Sequence, residues 1–107
     1  MQHAITERQG ASVLSLGGEI DLSNSPQARK LILAEIKAGN TLAIDLSGVS
    51  YIDSSGIASL VEGYQKAKSG GSRFGLVAVS EPAMKVLKLA RLDQVFPLFA
   101  SVDDFLV

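Results

Sequence analysis

No cysteine occurs in this chain, which rules out a disulfide framework and any thiolate metal site, and suits a reducing compartment. Histidine occurs once, as His3, near the start of an alternating segment where it reads as a solvent-side strand residue. With no second histidine and no G-x-S-x-G elbow, neither Ser54 nor Ser55 has an evident general base, so serine hydrolysis is excluded. Charge of one sign is also missing. Lys plus Arg number 10 against 11 Asp plus Glu, scattered along the chain to a net −1, so there is no basic patch for direct nucleic-acid binding. No run approaches the roughly 20 apolar residues of a membrane span, and Met1 to Arg8 lack the apolar stretch of a signal peptide. The expectation is a cytoplasmic protein without membrane insertion. Gly17-Gly18 does not make a dinucleotide fingerprint and no phosphate-loop motif is present, so no cofactor is expected.

What is present is the material of one α/β domain spanning residues 1–107, with 47% hydrophobic and 20% charged residues and no linker or repeat. His3 to Glu7 and Ser12 to Leu16 read as strands joined by a turn at Gly10. Ser25-Pro26 reads as a helix start, with Ser25 as N-cap and Pro26 first in the helix. Ala28, Leu31, Ile32 and Ile36 give that helix its apolar spacing, and Gly39-Asn40 ends it. Thr41 to Leu46 is apolar at nearly every position, as a strand covered on both faces should be. Ile57, Leu60, Val61, Tyr64 and Ala67 or Lys68 form the stripe of a second helix. A strand follows at Phe74 to Val79, then a helix opened by Ser80-Glu81-Pro82 with Ala83, Val86, Leu87 and Ala90 inward. Val95 to Phe99 reads as an edge strand, because Pro97 cannot donate to a ladder. Ser101 to Asp104 starts a short terminal helix. The order β-β-α-β-α-β-α-β-α implies right-handed parallel crossovers with an antiparallel N-terminal edge.

The most informative segment is Asp53-Ser54-Ser55-Gly56, a polar stretch where an apolar run gives way to a helix. Amides at a helix start lack internal partners and carry the positive end of the peptide dipoles, so a phosphate there finds donors and a favourable field. A plain N-cap serine is the bland reading of Ser54. Two hydroxyls are present where one would cap, and Gly56 permits close approach of a partner or of another part of the chain. Gly56, Ser59, Gly63 and Ala67 also form a ridge of small residues, read as close packing. Asp21, Asp45 and Asp53 could be imagined around a magnesium ion, but acids at strand ends are commonly caps and turn formers, and no metal is expected.

Val49 to Ile57, with Asp53-Ser54-Ser55-Gly56 at its centre, resembles the signature of the STAS domain, in particular the bacterial anti-anti-sigma factors (anti-sigma factor antagonists). Gly18 to Asp21, Leu76 to Pro82 and Val86 to Leu92 extend the resemblance over essentially the whole chain. It implies a STAS-like sheet of four to five mixed strands with packed α-helices, and a regulatory binding protein rather than an enzyme. In that family the unphosphorylated domain binds an anti-sigma factor that is itself a serine kinase, releasing a sigma factor. Phosphorylation breaks the complex and a PP2C-type phosphatase reverses it. The resemblance places the acceptor at Ser54, with Ser55 the alternative, and Asp21, Asp53, Ser55 and Gly56 around it. STAS domains also serve as accessory subunits of lipid-trafficking ABC transporters, which is the alternative function.

Overall fold

The computed structural model describes residues 1–37 and 39–107. A hairpin opens the chain: β1 (Gln2–Arg8) returns antiparallel as β2 (Ala11–Ile20) through Gln9 and Gly10. Both turn residues have positive φ, 51° and 82°, the two-residue turn whose twist matches that of the flanking strands. Then follow α1 (Ser25–Glu35), β3 (Thr41–Ile52), α2 (Ser54–Ser69), β4 (Arg73–Val77), α3 (Glu81–Leu89), β5 (Leu98–Phe99) and α4 (Val102–Leu106). The five strands lie in chain order, with β2 to β5 parallel and β1 antiparallel at one edge.

Parallel strands joined through helices bring the starts of α1, α2 and α3 to one edge of the sheet, the carboxyl ends of β2, β3 and β4. Residues from those three helices close the larger core, with Leu14, Ile20, Ile32, Ile44, Ile52, Leu60 and Leu87 all nearly inaccessible. The other face carries Val13, Ala43 and Val77 beneath α4, whose Phe105 is 1% exposed. Arg73 stacks over Phe105, its guanidinium 4.2 Å from the ring centroid, and Arg8 pairs with Asp103 of α4.

Several boundaries differ from the sequence reading. β2 and β3 run on to Ile20 and Ile52, well past Leu16 and Leu46. Gly17 pairs with Gly48 there, and register shifts between Ser15 and Gly17 and between Gly18 and Glu19 bend the ladder. A Cβ on Gly48 would stand 3.4 Å from the Gly17 Cα, an ordinary contact, so the two glycines face each other within the paired strands without a clash requiring them. Helix α1 starts one residue early: Asn24 occupies the N-cap position and Ser25 is buried inside the first turn. The Asn24 side chain makes no cap bond because it is engaged elsewhere, accepting from the Asp21 amide at 3.0 Å and donating to the Glu19 carbonyl at 2.9 Å. The last strand shrinks to Leu98–Phe99, a 3-10 turn at Leu92–Gln94 taking up the chain before it. Among the described residues no helix is long and apolar enough to cross a membrane.

Candidate functional site

Asp21 and Asp53 each follow directly on a strand end, and those ends are paired, Ile20 opposite Ile52. The Asp53 amide extends the ladder by donating to the Ile20 carbonyl at 3.1 Å. Neighbouring parallel strands are ~4.8 Å apart, so the register alone sets the two acidic turns side by side.

Asp53, not Ser54, caps α2. Its Oδ1 accepts from the Ser55 amide at 2.9 Å, the Ser55 hydroxyl at 2.6 Å and the Gly56 amide at 3.1 Å. The Ser55 hydroxyl, with help from the Gly56, Ser55 and Leu22 amides, holds the Asp53 carboxyl below the usual carboxylate range, against a smaller opposing effect of partial desolvation. Asp53 is therefore a fixed negative charge at neutral pH.

Asp21 repeats the arrangement. Its Oδ1 accepts from the Ser23 amide at 3.0 Å and the Ser23 hydroxyl at 2.5 Å. Asp21-Leu22-Ser23 and Asp53-Ser54-Ser55 are thus two Asp-x-Ser turns at adjacent strand ends, each with its serine bound to its aspartate. The middle residues, Leu22 and Ser54, are left outward: Leu22 is 76% exposed and Ser54 is exposed. None of the hydrogen bonds of the second turn involves the Ser54 hydroxyl. Of the two adjacent hydroxyls, one is bound and the other has no hydrogen-bond partner among the described residues. Leu22 had no part in the sequence reading, although the repeated Asp-x-Ser spacing is visible in the sequence and marks it.

Gly56 is buried beneath this surface. A Cβ would lie 2.7 Å from Ile52 Cγ1 and 2.9 Å from Ile20 Cγ2, so its bare backbone seats the first turn of α2 on both strand ends. The close approach it permits is internal; it offers no surface to a partner. The ridge of small residues is likewise internal packing: a Cβ on Gly63 would meet Ile32 Cγ2 at 2.5 Å, and the Ser59 hydroxyl donates to the Ser25 carbonyl at 3.2 Å. Beside Ser55, a groove of about 270 Å³ between α1 and α2 is crossed by an Arg29–Glu62 pair at 2.7 Å. Asp45 belongs elsewhere. It sits eight residues upstream in β3, about 26 Å away at strand rise, and accepts from the Ser47 amide at 2.8 Å. Among the described residues no three His, Cys, Asp or Glu side chains cluster as metal ligands.

The STAS domain family matches residues 2–105. The chain is 35% identical over 104 residues to the anti-sigma-F factor antagonist RsfB of Mycobacterium tuberculosis, covering 95% of this chain and 84% of that protein. The crystal structure of an anti-sigma factor antagonist from Mycobacterium paratuberculosis superposes with a TM-score of 0.87 at 33% identity, covering 98% of this chain and 90% of the other. The Bacillus cell fate determinant SpoIIAA in its phosphorylated form shares the fold, with a TM-score of 0.71 at 20% identity over 95% of this chain and 94% of its own.

Proposed function

Since the chain belongs to the STAS domain family, we propose that it is an anti-sigma factor antagonist whose docking edge is the pair of Asp-x-Ser turns. Unphosphorylated, it binds an anti-sigma factor serine kinase and so releases a sigma factor. Phosphorylation of Ser54 ends the binding, and a PP2C-type phosphatase restores it. The observation that carries this reading is the freedom of Ser54 beside a bound Ser55: among the described residues the exposed hydroxyl has no competing hydrogen bond, while its neighbour is held by Asp53.

The physics of such a switch is coherent. A phosphate brings about −1.5 to −2 charges at neutral pH. Within the domain it stands at the positive end of α2, where an anion is favoured by ~0.3–1 kcal/mol, offsetting repulsion from the Asp53 carboxylate. The fold of the phosphorylated SpoIIAA is retained, which supports tolerance of the modification by this architecture. In a complex the same charge would be partly desolvated next to Asp53, and like charges juxtaposed at an interface cost several kcal/mol, on the order of a hundredfold or more in affinity. Leu22, apolar and outward beside Ser54, supplies the contact that rewards docking in the unmodified state. The reaction chemistry belongs to the kinase and the phosphatase; this domain contributes the acceptor hydroxyl and its surroundings.

Incubation with the cognate kinase and ATP is expected to add one phosphate, located on Ser54 by peptide mass spectrometry, and to release the kinase in a binding assay. Ser54→Ala is expected to bind and resist release. A phosphate on Ser55 would move the acceptor by one residue. No phosphate on either, with a kinase active on a control substrate, would overturn the switch and favour the transporter-accessory role.

A further inference from the structure

The two edges of the sheet are unlike. β5 is two residues long and follows Pro97, so it offers little for another strand to pair with. β1 is seven residues long, every one of them exposed, in unbroken register with β2. It contains no Pro, Gly or Lys to blunt it, and among the described residues no element covers its free side.

The geometry points to β1 as the site where a second copy of this chain adds itself, antiparallel, about a two-fold axis at Ile5. The hairpin determines which groups are available. In a two-residue hairpin the residues flanking the turn, here Arg8 and Ala11, form a hydrogen-bonded pair, and bonded and non-bonded pairs alternate from there. Thr6, Ala4 and Gln2 therefore direct their amides and carbonyls at β2. Glu7, Ile5 and His3 direct theirs outward. Centring the two-fold on Ile5 sets Ile5 against Ile5 and His3 against Glu7 of the second copy, so every outward group meets an outward group. A register slipped by one residue faces outward groups with inward ones, and a slip by two leaves some without partners.

Side chains agree with that register. Directly opposed residues of an antiparallel pair share a face. Ile5, 48% exposed, would cover its own copy. The His3 imidazole, a donor, would lie opposite the Glu7 carboxylate on both sides of the axis. On the other face Gln2 would oppose Arg8, and Ala4 would oppose Thr6. No like charges are opposed anywhere. The result is a ten-stranded sheet whose two Ser54 edges point in opposite directions, each open to its own partner. Two seven-residue strands bury little area, so the dimer is of the weak, reversible class.

The absence of cysteine provides a clean test. In an Ile5→Cys variant the two thiols would sit on Cα atoms ~5.5 Å apart, inside the ~4.4–6.8 Å range of disulfides. Mild oxidation is expected to give a covalent dimer. His3→Cys is expected to give none, because its two copies stand ~13 Å apart along the strand, whereas mixing His3→Cys with Glu7→Cys should cross-link. Sedimentation of the wild-type chain over a concentration series is expected to show a reversible dimer. Ile5→Pro, which removes an outward amide together with the Ile5 side chain but no bond to β2 and so keeps the hairpin, is expected to stay monomeric with an unchanged circular dichroism spectrum. A wild-type chain that stays monomeric up to millimolar concentration overturns the proposal, as does Ile5→Pro dimerising like wild type. Cross-linking of His3→Cys as readily as Ile5→Cys overturns the register.

Discussion

Ser54 and Ser55 are chemically identical and one residue apart, yet the fold gives them opposite duties. Ser55 spends its hydroxyl on Asp53 at 2.6 Å, and Ser54 spends nothing. Ser55→Ala is therefore expected to cost ~1 kcal/mol, while Ser54→Ala should change stability by no more than ~0.5 kcal/mol, as surface changes do. Thermal or urea unfolding of the two variants checks the contrast. The pH dependence follows from Asp53. Its carboxyl is held below the ordinary value of 3.8, so its contribution is complete above that value and disappears as pH falls through the lower folded-state value. Asp53→Asn is expected to lower the melting temperature by a few degrees at neutral pH. Unfolding curves taken at decreasing pH should show that deficit shrinking only below the ordinary carboxylate range. A deficit independent of pH would mean that the charge of Asp53 plays no part in the cap.

Among the elements, α1 packs closely on α2, with Ile32 set against Gly63 of the small-residue ridge. Gly63→Ala should gain up to ~1 kcal/mol from helix propensity. The added methyl, however, would stand 2.5 Å from Ile32 Cγ2, and Ile32 is fully buried and cannot swing away. Overpacking of this kind costs ~1–3 kcal/mol, so a net loss is expected. Ile32→Leu removes the offending branch. Its combination with Gly63→Ala is expected to recover part of the loss, and a double-mutant cycle of unfolding free energies measures how much. Strictly additive effects would show that α2 shifts as a body instead of pressing on Ile32.

For the molecule as a whole, fold and switch should be separable. Ser54→Asp places a carboxylate in the first turn of α2, where acids are tolerated or mildly favoured. It adds no burial, since Ser54 is exposed. The melting temperature is expected to stay nearly unchanged while affinity for the anti-sigma partner drops at least tenfold, the new charge lying beside Asp53 in a poorly screened interface. Calorimetry on one sample reads both. Unfolding of the variant, or binding like wild type, would make Ser54 a structural residue or a bystander.

Local chemistry sufficed for much of this protein. The twofold alternation of Ser12 to Leu16, the helical stripe from Ile57 to Ala67 and the caps at Ser80 and Ser101 are properties of neighbouring residues, so periodicity and capping preferences revealed them. The Asp53-Ser54-Ser55-Gly56 segment was legible too, as a motif at a helix start. What the sequence could not convey depends on residues far apart in the chain. The glycines at 17, 18 and 48 carry no strand signal in the sequence, and only the pairing of β2 with β3 shows that they lie inside the ladder; Gly18 also has a positive φ of 76°, and a Cβ there would stand 2.7 Å from Gln2 Oε1 of β1. The identity of each helix cap was off by one at Ser25 and at Ser54, since the competing residues Asn24 and Asp53 are oriented by Ile20, Glu19 and the strand ends. That same pairing of Ile20 with Ile52 sets the two Asp-x-Ser turns side by side and turns Leu22 outward beside Ser54. Hydroxyl preference is short-ranged and readable from sequence; which hydroxyl is left free is decided by a ladder between strands thirty residues apart, and that exists only once the chain has folded.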